Sequence, residues 1–405
     1  MKVLLVVGAR PNFVKIAPIL REMKNHPSLQ PILVHTGQHY DDALSKRFFS
    51  ELDIPEPDVK LGVGSGSHAV QTAEVLRRIE PVLEEVRPDL VLVVGDVNST
   101  LAAALAAAKL GIRVGHVEAG LRSRDRTMPE EINRLLVDAI SDLLFVTELS
   151  GWQNLLREGI SLAKVHLVGN VMIDALESSR ELWERSDIRH RLGLRPRSDY
   201  ALLTLHRPSN VDSASALTRL LRPLSDLAQE LPIILPVHPR VRPHLEGRRG
   251  LVWRETAEVG EMPPSGIICV EPLRYLDCIA LMSGARMVLT DSGGIQEETT
   301  ILNVPCLTLR ETTERPVTVS HGTNRVIGTD PDRIVREGLR ALRNPPPRHS
   351  PPPLWDGHAA RRIVKVLLGE MAVREQANGG PPAHAATLAP PLRTPKDAPT
   401  HGIGA

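Results

Sequence analysis

The sequence predicts an α/β protein built from two doubly wound lobes, with a ligand cleft between them. Three observations support this prediction. The chain has 405 residues, more than a single compact core usually holds, so two domains are expected. Short apolar runs alternate with longer amphipathic stretches, a pattern that is typical of a parallel sheet covered by helices on both faces. The same alternation occurs twice, once before about residue 165 and again from about residue 200.

The first part of the chain contains the strands and helices of one lobe. Five apolar runs predict strands that are buried on both faces: KVLLVVG (2–8), PILVHTG (31–37), DLVLVVGD (89–96), RVGHVEAG (113–120) and DLLFVT (142–147). Three amphipathic stretches predict helices between them: FVKIAPILREMKN (13–25), HAVQTAEVLRRIEPVLEEV (68–86) and STLAAALAAAKLG (99–111). We expect a Rossmann-like lobe at residues 1–170.

The second part of the chain repeats the pattern. Five further runs predict strands: YALLTLH (200–206), PIILPVH (232–238), GIICVE (266–271), RMVLTD (286–291) and PCLTLR (305–310). The stretch SALTRLLRPLSDLAQEL (215–231) predicts one of the helices between them. We expect a second Rossmann-like lobe at residues 171–350. Ligands of such folds bind beyond the carboxyl ends of the strands, which here means the cleft between the lobes.

The C-terminal region follows a proline-rich connector at residues 344–355, which cannot continue a helix. Residues 354–375 predict a C-terminal helix that packs back on the first lobe. Residues 376–405 are rich in alanine, proline, glycine and threonine and have no apolar period, so we expect a disordered tail.

Composition excludes several classes of function. The formal net charge is +1, which argues against a nucleic-acid partner. The longest apolar region, 90–112, is interrupted by Asp96, Asn98 and Lys109, so no membrane span is predicted. The N-terminus is typical of a first strand and its loop rather than a signal peptide, and we expect a cytoplasmic protein. Three cysteines without metal-ligand spacing predict neither a disulfide framework nor a zinc site.

Polar residues follow the predicted strands in both lobes. They are Arg10 with Lys15 on the next helix, Asp96, Glu118, His206, His238, and Asp291 with Ser292. A single residue of this kind is usually a solvated cap. A set that recurs at strand ends in both lobes favours a ligand cleft instead.

The stretch LTDSGGIQEETT (289–300) predicts an anion site. Ser292, Gly293 and Gly294 at a helix start let backbone N–H groups approach a phosphate, although Gly-Gly also suits a tight turn. Glu298 lies one to two turns further on, where a carboxylate suits a diol better than a phosphate. The combination indicates a nucleoside diphosphate. Arg315 and Arg10 could offset its charge.

The acids of the first lobe are candidates for proton transfer. They are Asp96, Glu118 and Glu130, the last in the helix start MPEEINR (128–134). Carboxylates that converge near an anion site can have raised pKa values and move protons. For the isolated MPEEINR segment, an exposed ion pair between Glu130 and Arg134 is the simpler interpretation. No P-loop is present, and no metal is required.

Taken together, these motifs resemble the non-hydrolysing UDP-N-acetylglucosamine 2-epimerases. The resemblance covers about residues 1–370 and rests on segments that occur in the family's order: GARPNFVKIAP, TGQHYD, GDVNSTLAAALAA, HVEAGLRS, MPEEINR, LLTLHRPSN, DSGGIQEE and RETTERP. The family fold is the two-lobed glycosyltransferase-B arrangement.

The resemblance implies a reaction and roles for site residues. The family converts UDP-GlcNAc to UDP-ManNAc by anti elimination of UDP through 2-acetamidoglucal and re-addition, without a cofactor, and a homodimer is expected. Carried over to this chain, the catalytic candidates are Asp96, Glu118, Glu130 and His206. The substrate-binding candidates are Arg10, Lys15, Arg134, His238, Ser292, Gly293, Gly294, Glu298 and Arg315.

Two departures from the family pattern leave alternatives open. The chain reads His206-Arg207-Pro208-Ser209-Asn210 where many bacterial members carry an HRREN-like box. TGQHYDDALSKRF stands where members activated by a second substrate molecule carry a different segment, so that regulation is not carried over. The TGQHYD and MPEEINR variants also resemble enzymes acting on UDP-2,3-diacetamido uronic acids. A hydrolysing 2-epimerase, a glycosyltransferase and a non-catalytic sugar-nucleotide sensor are further alternatives.

Overall fold

The computed structural model describes residues 1–38, 54–196, 198–256, 260–344 and 349–377, except for the side chains of Arg10 and 374–377. Residues Met1–Val366 form one compact unit that contains both sheets, and Leu367–Ala405 form a second unit. The tail expected at 376–405 lies outside the described residues from 378 onward. Among the described helices, none has the length and apolar content that crossing a bilayer requires.

The first lobe is a seven-stranded parallel sheet in the order β3-β2-β1-β4-β5-β6-β7. Its strands are β1 (Lys2–Val7), β2 (Gln30–His35), β3 (Val59–Lys60), β4 (Leu90–Val94), β5 (Arg113–Ala119), β6 (Leu143–Val146) and β7 (Val165–Leu167). The α-helices that follow them along the chain are Arg10–Lys24, His68–Val86, Asn98–Lys109, Pro129–Ile140, Leu149–Arg157, Val171–Ser178, Arg180–Glu184 and Ile188–Arg191.

The second lobe is another seven-stranded parallel sheet, in the order β10-β11-β9-β8-β12-β13-β14. Its strands are β8 (Ala201–Thr204), β9 (Ile233–Pro236), β10 (Leu251–Trp253), β11 (Ile267–Val270), β12 (Met287–Thr290), β13 (Cys306–Thr308) and β14 (Asn324–Val326). The remaining α-helices are Pro208–Val211, Ala214–Leu227, Arg242–Leu245, Tyr275–Ser283, Gly293–Leu302, Val317–Ser320, Pro331–Arg343 and Ala359–Ala377.

The two sheets confirm the predicted fold class of two doubly wound α/β lobes. Central strands are buried on both faces, as the continuous apolar runs indicated: all five residues of β4 are buried. The sequence analysis missed β3, β7, β10 and β14, which are the outermost strands of the two sheets. Each has only two or three residues and is incompletely buried, so it produces no continuous apolar run.

The strand order places two switch points at the cleft. In the first sheet β1 and β4 are neighbours although the chain leaves them in opposite directions, and in the second sheet β8 and β12 are neighbours in the same way. The loops after such strands diverge and leave a crevice that can hold a ligand. Lys15 and Asp96 follow the first pair, and His206 and Ser292 follow the second.

The segment before the last helix contacts the first lobe. Trp355 is buried, and its indole N–H donates to the Thr147 carbonyl at 3.1 Å. The Asp174 carboxylate accepts the backbone N–H groups of Ala359 and Ala360 at 3.0 and 2.7 Å, so it caps the start of the helix. These contacts hold the connector and the start of the last helix, while the packing of the C-terminal helix and the domain boundaries drawn from the sequence stay predictions.

Two glycines with the same backbone conformation test how tightly the chain packs after β5. Gly120 has φ +79° and a Cβ there would lie 2.3 Å from the Gly151 carbonyl oxygen, whereas Gly111 has φ +72° and open space. We expect Gly111→Ala to lower the free energy of unfolding by about 1–2 kcal/mol, the usual penalty of a left-handed alanine. Gly120→Ala should lose about 3 kcal/mol or more, because overpacking adds to that penalty. Urea unfolding of both variants measures the difference, and equal losses would contradict the close approach.

Candidate active site

Glu118 occupies a bulge at the end of β5. The pairing of β5 with β6 shifts between Val117 and Ala119, and Glu118 between them has φ 72°, which is uncommon for a residue with a side chain. Its side chain is buried, and Oε2 accepts a hydrogen bond from Lys15 Nζ at 2.5 Å. Its other oxygen, Oε1, has no hydrogen-bond partner among the described residues. Backbone strain of this kind is typical of a functional position.

Gly95 brings the loop after β4 against this ion pair. A Cβ on Gly95 would lie 3.2 Å from Lys15 Nζ and 3.5 Å from Glu118 Oε2, and its φ of +70° favours glycine. Asp96 is the next residue. The structure therefore brings together three of the predicted site residues, Lys15, Asp96 and Glu118, from three different strand ends.

Arg134 binds the carboxylates of the first lobe. Its guanidinium lies 2.5 Å from Asp96 Oδ2 and 2.7 Å from Glu131 Oε2, and it is buried. Burial raises the pKa of Asp96, but the positive charges of Arg134 and Lys15 outweigh it and hold that pKa below its ordinary value. Asp96 is therefore a carboxylate at neutral pH.

The neighbouring glutamates of the MPEEINR helix are placed differently. Glu131 is buried and accepts the backbone N–H groups of Ser123 and Arg124 at 2.9 Å each, so it also holds the loop after β5. Glu130, one residue earlier in the helix, is half-buried. Arg134 pairs with Glu131 three residues away instead of Glu130 four residues away. The catalytic role of Glu130 stays a prediction, and Glu131 is a site residue that the sequence analysis missed.

The helix Gly293–Leu302 begins at the predicted anion site. The first amides of a helix have no carbonyl partner within it. Here the N-cap residue, Ser292, does not bind them with its side chain either. A Cβ on Gly293 would lie 2.4 Å from Arg315 Nη1 and 2.7 Å from Glu314 Oε1, whereas one on Gly294 would make an ordinary 3.6 Å contact with Met172. Gly293 is thus required by the side chains that pack on it, in addition to any ligand.

Glu314 lies at the centre of a cluster of arginines. It is buried and lies 2.5 Å from Arg315 and 2.7 Å from Arg310. Arg207 of the same lobe is 3.6 Å away, and Arg134 of the first lobe is 4.0 Å away. Burial raises the pKa of Glu314, but the surrounding arginines hold it well below its usual range. Glu314, which the sequence analysis did not select, thus connects the charged groups of the two lobes.

Arg315 is not available to a ligand without a change of partner. It lies 2.6 Å from Glu297 Oε1 as well as next to Glu314, and all three side chains are buried. Burial raises the pKa of Glu297, Arg315 opposes that change, and the charge of Glu118 in the other lobe raises it further. The charge of Glu118 thus acts on Glu297, and the 4.0 Å approach of Arg134 to Glu314 brings charged side chains of the two lobes together.

Glu298 is a buried carboxyl with a raised pKa. Burial raises its pKa to about 8, against a hydrogen bond with Tyr275 that lowers it, while the charge of Glu297 raises it further. Glu148 at the end of β6 resembles it: burial raises its pKa to about 7, and it accepts the Ser150 hydroxyl. The sequence analysis selected Glu298 but gave no reason to select Glu148.

His206 is supported by a carboxylate from the neighbouring strand. Its Nδ1 lies 2.9 Å from Asp291 Oδ1, and Asp291 also accepts the Arg207 backbone N–H at 3.0 Å. Burial raises the pKa of Asp291, but His206 and these hydrogen bonds lower it below the ordinary value, so Asp291 is ionised. With Nδ1–H donating to Asp291, Nε2 is left for a ligand on a ring that is 41% exposed.

His238 and Arg10 are two further site residues that the sequence predicts. His238 is exposed at the end of β9, with its ring centroid 6.2 Å from that of His206. Arg10 begins the helix Arg10–Lys24, and its side chain lies outside the described part. Within the described ranges, no group of three or more histidine, cysteine, aspartate or glutamate side chains could hold a metal ion.

Comparisons with known proteins show the family of the chain. The model of the UDP-N-acetylglucosamine 2-epimerase family matches residues 21–368. A UDP-N-acetylglucosamine 2-epimerase of Methanococcus maripaludis is 41% identical over 374 residues, covering 91% of this chain and 99% of the relative. A UDP-2,3-diacetamido-2,3-dideoxy-D-glucuronate 2-epimerase of Pseudomonas aeruginosa is 39% identical over 345 residues, covering 84% of this chain and 92% of that one.

A solved structure shows the same architecture. The UDP-GlcNAc 2-epimerase of Methanocaldococcus jannaschii, crystallised with UDP-GlcNAc and UDP, superposes with a TM-score of 0.82 at 38% identity, covering 91% of this chain and all of that one. The two-lobed glycosyltransferase-B arrangement implied by the resemblance is confirmed. On the family match, the identity and the shared fold, the chain belongs to the UDP-N-acetylglucosamine 2-epimerase family.

Proposed function

We propose that this protein catalyses the reversible C2 epimerisation of UDP-GlcNAc to UDP-ManNAc without hydrolysis. In this reaction UDP leaves by anti elimination across C1–C2, 2-acetamidoglucal forms, and UDP adds back with the opposite configuration at C2. The observation that carries the proposal is the free Oε1 of buried Glu118, held on a strained bulge of the lobe whose Arg134 lies 4.0 Å from Glu314, next to the helix start at Gly293. The Methanocaldococcus jannaschii relative, solved with UDP-GlcNAc and UDP, supports the substrate class.

The second lobe would hold the nucleotide. The amides of Gly293 and Gly294 would bind the diphosphate, since a helix N-terminus favours anions. Glu298 would accept the ribose hydroxyls from inside the same helix. Arg315 would bind phosphate after exchanging one of its present carboxylate partners, and Arg10, His238 and Arg134 would complete the walls of the site.

The first lobe would move the proton. The C2 hydrogen is a weak acid, so a positioned carboxylate must remove it as UDP departs. Glu118 suits this role because one of its oxygens is buried and has no hydrogen-bond partner among the described residues, so it is left to accept the C2 proton. Asp96, paired with Arg134, and Glu130 are the candidates for the proton on the other face. His206, oriented by Asp291, would donate a hydrogen bond or a proton to the departing phosphate.

The identity of the sugar admits a second candidate. The Pseudomonas aeruginosa relative acts on a UDP-2,3-diacetamido uronic acid and is 39% identical, nearly as similar as the Methanococcus maripaludis epimerase. Both reactions require the same C2 chemistry and differ at C3 and C6. On the family resemblance, we further propose a cytoplasmic homodimer that supplies precursors of surface polysaccharide.

The reaction is tested by incubating the enzyme with UDP-GlcNAc in D2O. We expect an equilibrium mixture of two nucleotide sugars with deuterium at C2, read by NMR. Glu118→Gln should slow the exchange about 10²- to 10⁴-fold while UDP affinity stays within about threefold, since it removes a base and not a ligand for UDP. Release of free sugar would indicate the hydrolysing reaction instead. If UDP-GlcNAc binds but no deuterium enters C2, proton abstraction is excluded.

The diphosphate site is tested by Gly293→Ala. The added Cβ would displace Arg315 and Glu314, at 2.4 and 2.7 Å, and narrow the approach to the helix amides. We expect UDP affinity to fall about tenfold or more, while uridine affinity changes less than about threefold. Calorimetry or competition binding with UDP and with uridine measures the two changes in affinity. Parallel losses for UDP and uridine would place the diphosphate elsewhere.

The proposed role of Glu298 predicts proton release on binding. In the free protein its pKa is about 8, so at pH 7 it is mostly protonated. Ribose hydroxyls that donate to it favour the carboxylate and lower its pKa, so at pH 7 binding should release more protons from the wild type than from Glu298→Gln, and this contribution of Glu298 should raise UDP affinity with pH up to about 8. Calorimetry in buffers of different ionisation enthalpy measures the release. Glu298→Gln is the control, and a release that is unchanged in this variant would refute the assignment.

A further inference from the structure

The ring of His116 contacts two acceptors in the interior of the first lobe. His116 lies on β5 and is completely buried. Its Nδ1 is 2.7 Å from Asp138 Oδ1, and its Nε2 is 2.9 Å from the carbonyl oxygen of Gly95. The sequence analysis assigned His116 no role.

The two contacts determine the protonation of the ring. A backbone carbonyl can only accept a hydrogen bond, so Nε2 must carry a proton. Burial raises the pKa of Asp138, but the charges and hydrogen bonds of His116 and Arg122 hold it below its usual range, so Nδ1 also faces a carboxylate acceptor. Only an imidazolium has an N–H at both positions. A neutral ring would direct a lone pair at one of these buried oxygens and leave that oxygen without its hydrogen bond.

The carbonyl that His116 holds belongs to the loop that carries Asp96. Gly95 has φ +70°, and its N–H donates to the Val117 carbonyl at 3.1 Å, so the residue is bound at both ends. Asp96 follows immediately. A shift of the Gly95 peptide would move Asp96 relative to Glu118, whose carboxylate lies beside Gly95.

Asp138 in turn holds the loop after β5. Its second oxygen, Oδ2, accepts the Gly120 N–H at 3.0 Å and lies 2.7 Å from Arg122 Nη2. Gly120 comes two residues after Glu118, directly beyond the bulge. Arg122 is shared with Glu158 at 2.6 Å. The pair of His116 and Asp138 therefore connects the backbone segments that carry two of the first-lobe acids, Asp96 and Glu118.

We propose that His116 is a positioning residue for the epimerase reaction: as a buried imidazolium between Asp138 and the Gly95 carbonyl, it fixes the distance between Asp96 and Glu118. The effect on turnover rests on the proposed function. The charge state of the ring does not, and it is measurable without substrate. His116 is not a catalytic residue, because it reaches the substrate only through the two loops.

The charge state is tested on the wild-type enzyme with ¹⁵N-labelled histidine. The ring signals of His116 are assigned by their loss in His116→Gln. We expect both ring nitrogens to carry a proton near neutral pH in the substrate-free protein. A ring with one unprotonated nitrogen under these conditions overturns the proposal, whatever the activity of the enzyme.

The positioning role is tested by the kinetics of His116→Gln. Glutamine carries both of its N–H donors on one nitrogen, with a carbonyl oxygen beside it. It therefore cannot donate to the two oxygens that lie on opposite sides of the imidazole ring. We expect kcat for C2 exchange to fall about ten- to a hundredfold, because small misplacements of catalytic groups are costly. KM and UDP affinity should stay within about threefold, since the nucleotide site lies in the other lobe.

His166→Gln is the matched control. His166 lies on β7, and its ring packs against Phe145 with centroids 5.8 Å apart, away from the two loops. We expect kcat close to wild type for this variant. A His116→Gln variant with wild-type kcat overturns the positioning role while leaving the epimerase proposal intact. Absence of C2 exchange in the wild type refutes the epimerase proposal, and the ring protonation still decides the charge state.

Discussion

The buried ion pair between Lys15 and Glu118 is the constraint on which the first lobe's part of the site depends. The two residues come from the helix after β1 and the end of β5, with β4 between these strands. A buried glutamate without its lysine would be an uncompensated charge, a loss of about 3–5 kcal/mol when one partner of such a pair is removed. The pair also explains Gly95, because the loop after β4 must pass within contact of both side chains. The strained backbone of Glu118 is tolerated because the ion pair, the bulge and the loop after β5 all hold it in the same place.

In the second lobe, arginines lie beside the predicted anion site and are paired with carboxylates. Glu314 binds Arg315 and Arg310 and lies close to Arg207 and Arg134. One ionised carboxylate thereby aligns arginines from both lobes. Since Arg134 also binds Asp96, the acids of the first lobe and the arginines of the second lobe form a continuous network. On the proposed function, this network would couple nucleotide binding to proton transfer, because a change at one end alters the charge at the other.

The fold and part of the site follow from the sequence for physical reasons, and the remainder does not. Central parallel strands are buried on both faces and leave continuous apolar runs, whereas edge strands such as β3 and β10 leave no such signal. Lys15 and Glu118 could be selected because carboxyl ends of parallel strands share one edge. The sequence analysis paired Arg134 with Glu130, whereas the structure pairs it with Glu131; spacing favours neither strongly, because both lie within about one helical turn of Arg134.

Contacts between residues that are far apart along the chain could not be predicted from the sequence. Asp291 supports His206 only because β8 and β12 pair in register across 85 residues, and Asp138 reaches His116 only through the packing of a helix on β5. Spacing along the chain contains neither fact. Burial is equally hidden: the positions of Glu297 and Glu298 along the sequence do not show that both side chains are enclosed and have raised pKa values.

The raised pKa values of these glutamates have a consequence for how an empty site accepts an anion. Among the described side chains that these ion pairs join, five cations, Lys15, Arg134, Arg207, Arg310 and Arg315, balance five carboxylates, Asp96, Glu118, Glu131, Glu297 and Glu314. A diphosphate would therefore bring negative charge among side chains that are already paired. The helix amides would stabilise part of the negative charge of the diphosphate, since they are dipoles and need no counter-ion.

The remaining negative charge would require Arg315 to leave Glu297 and bind the phosphate. Glu297 can tolerate that loss because burial already favours its neutral form, so it takes up a proton instead of remaining as a bare buried charge. Acids with raised pKa values beside the helix start are thus what allows a balanced, closed network to admit a highly charged ligand.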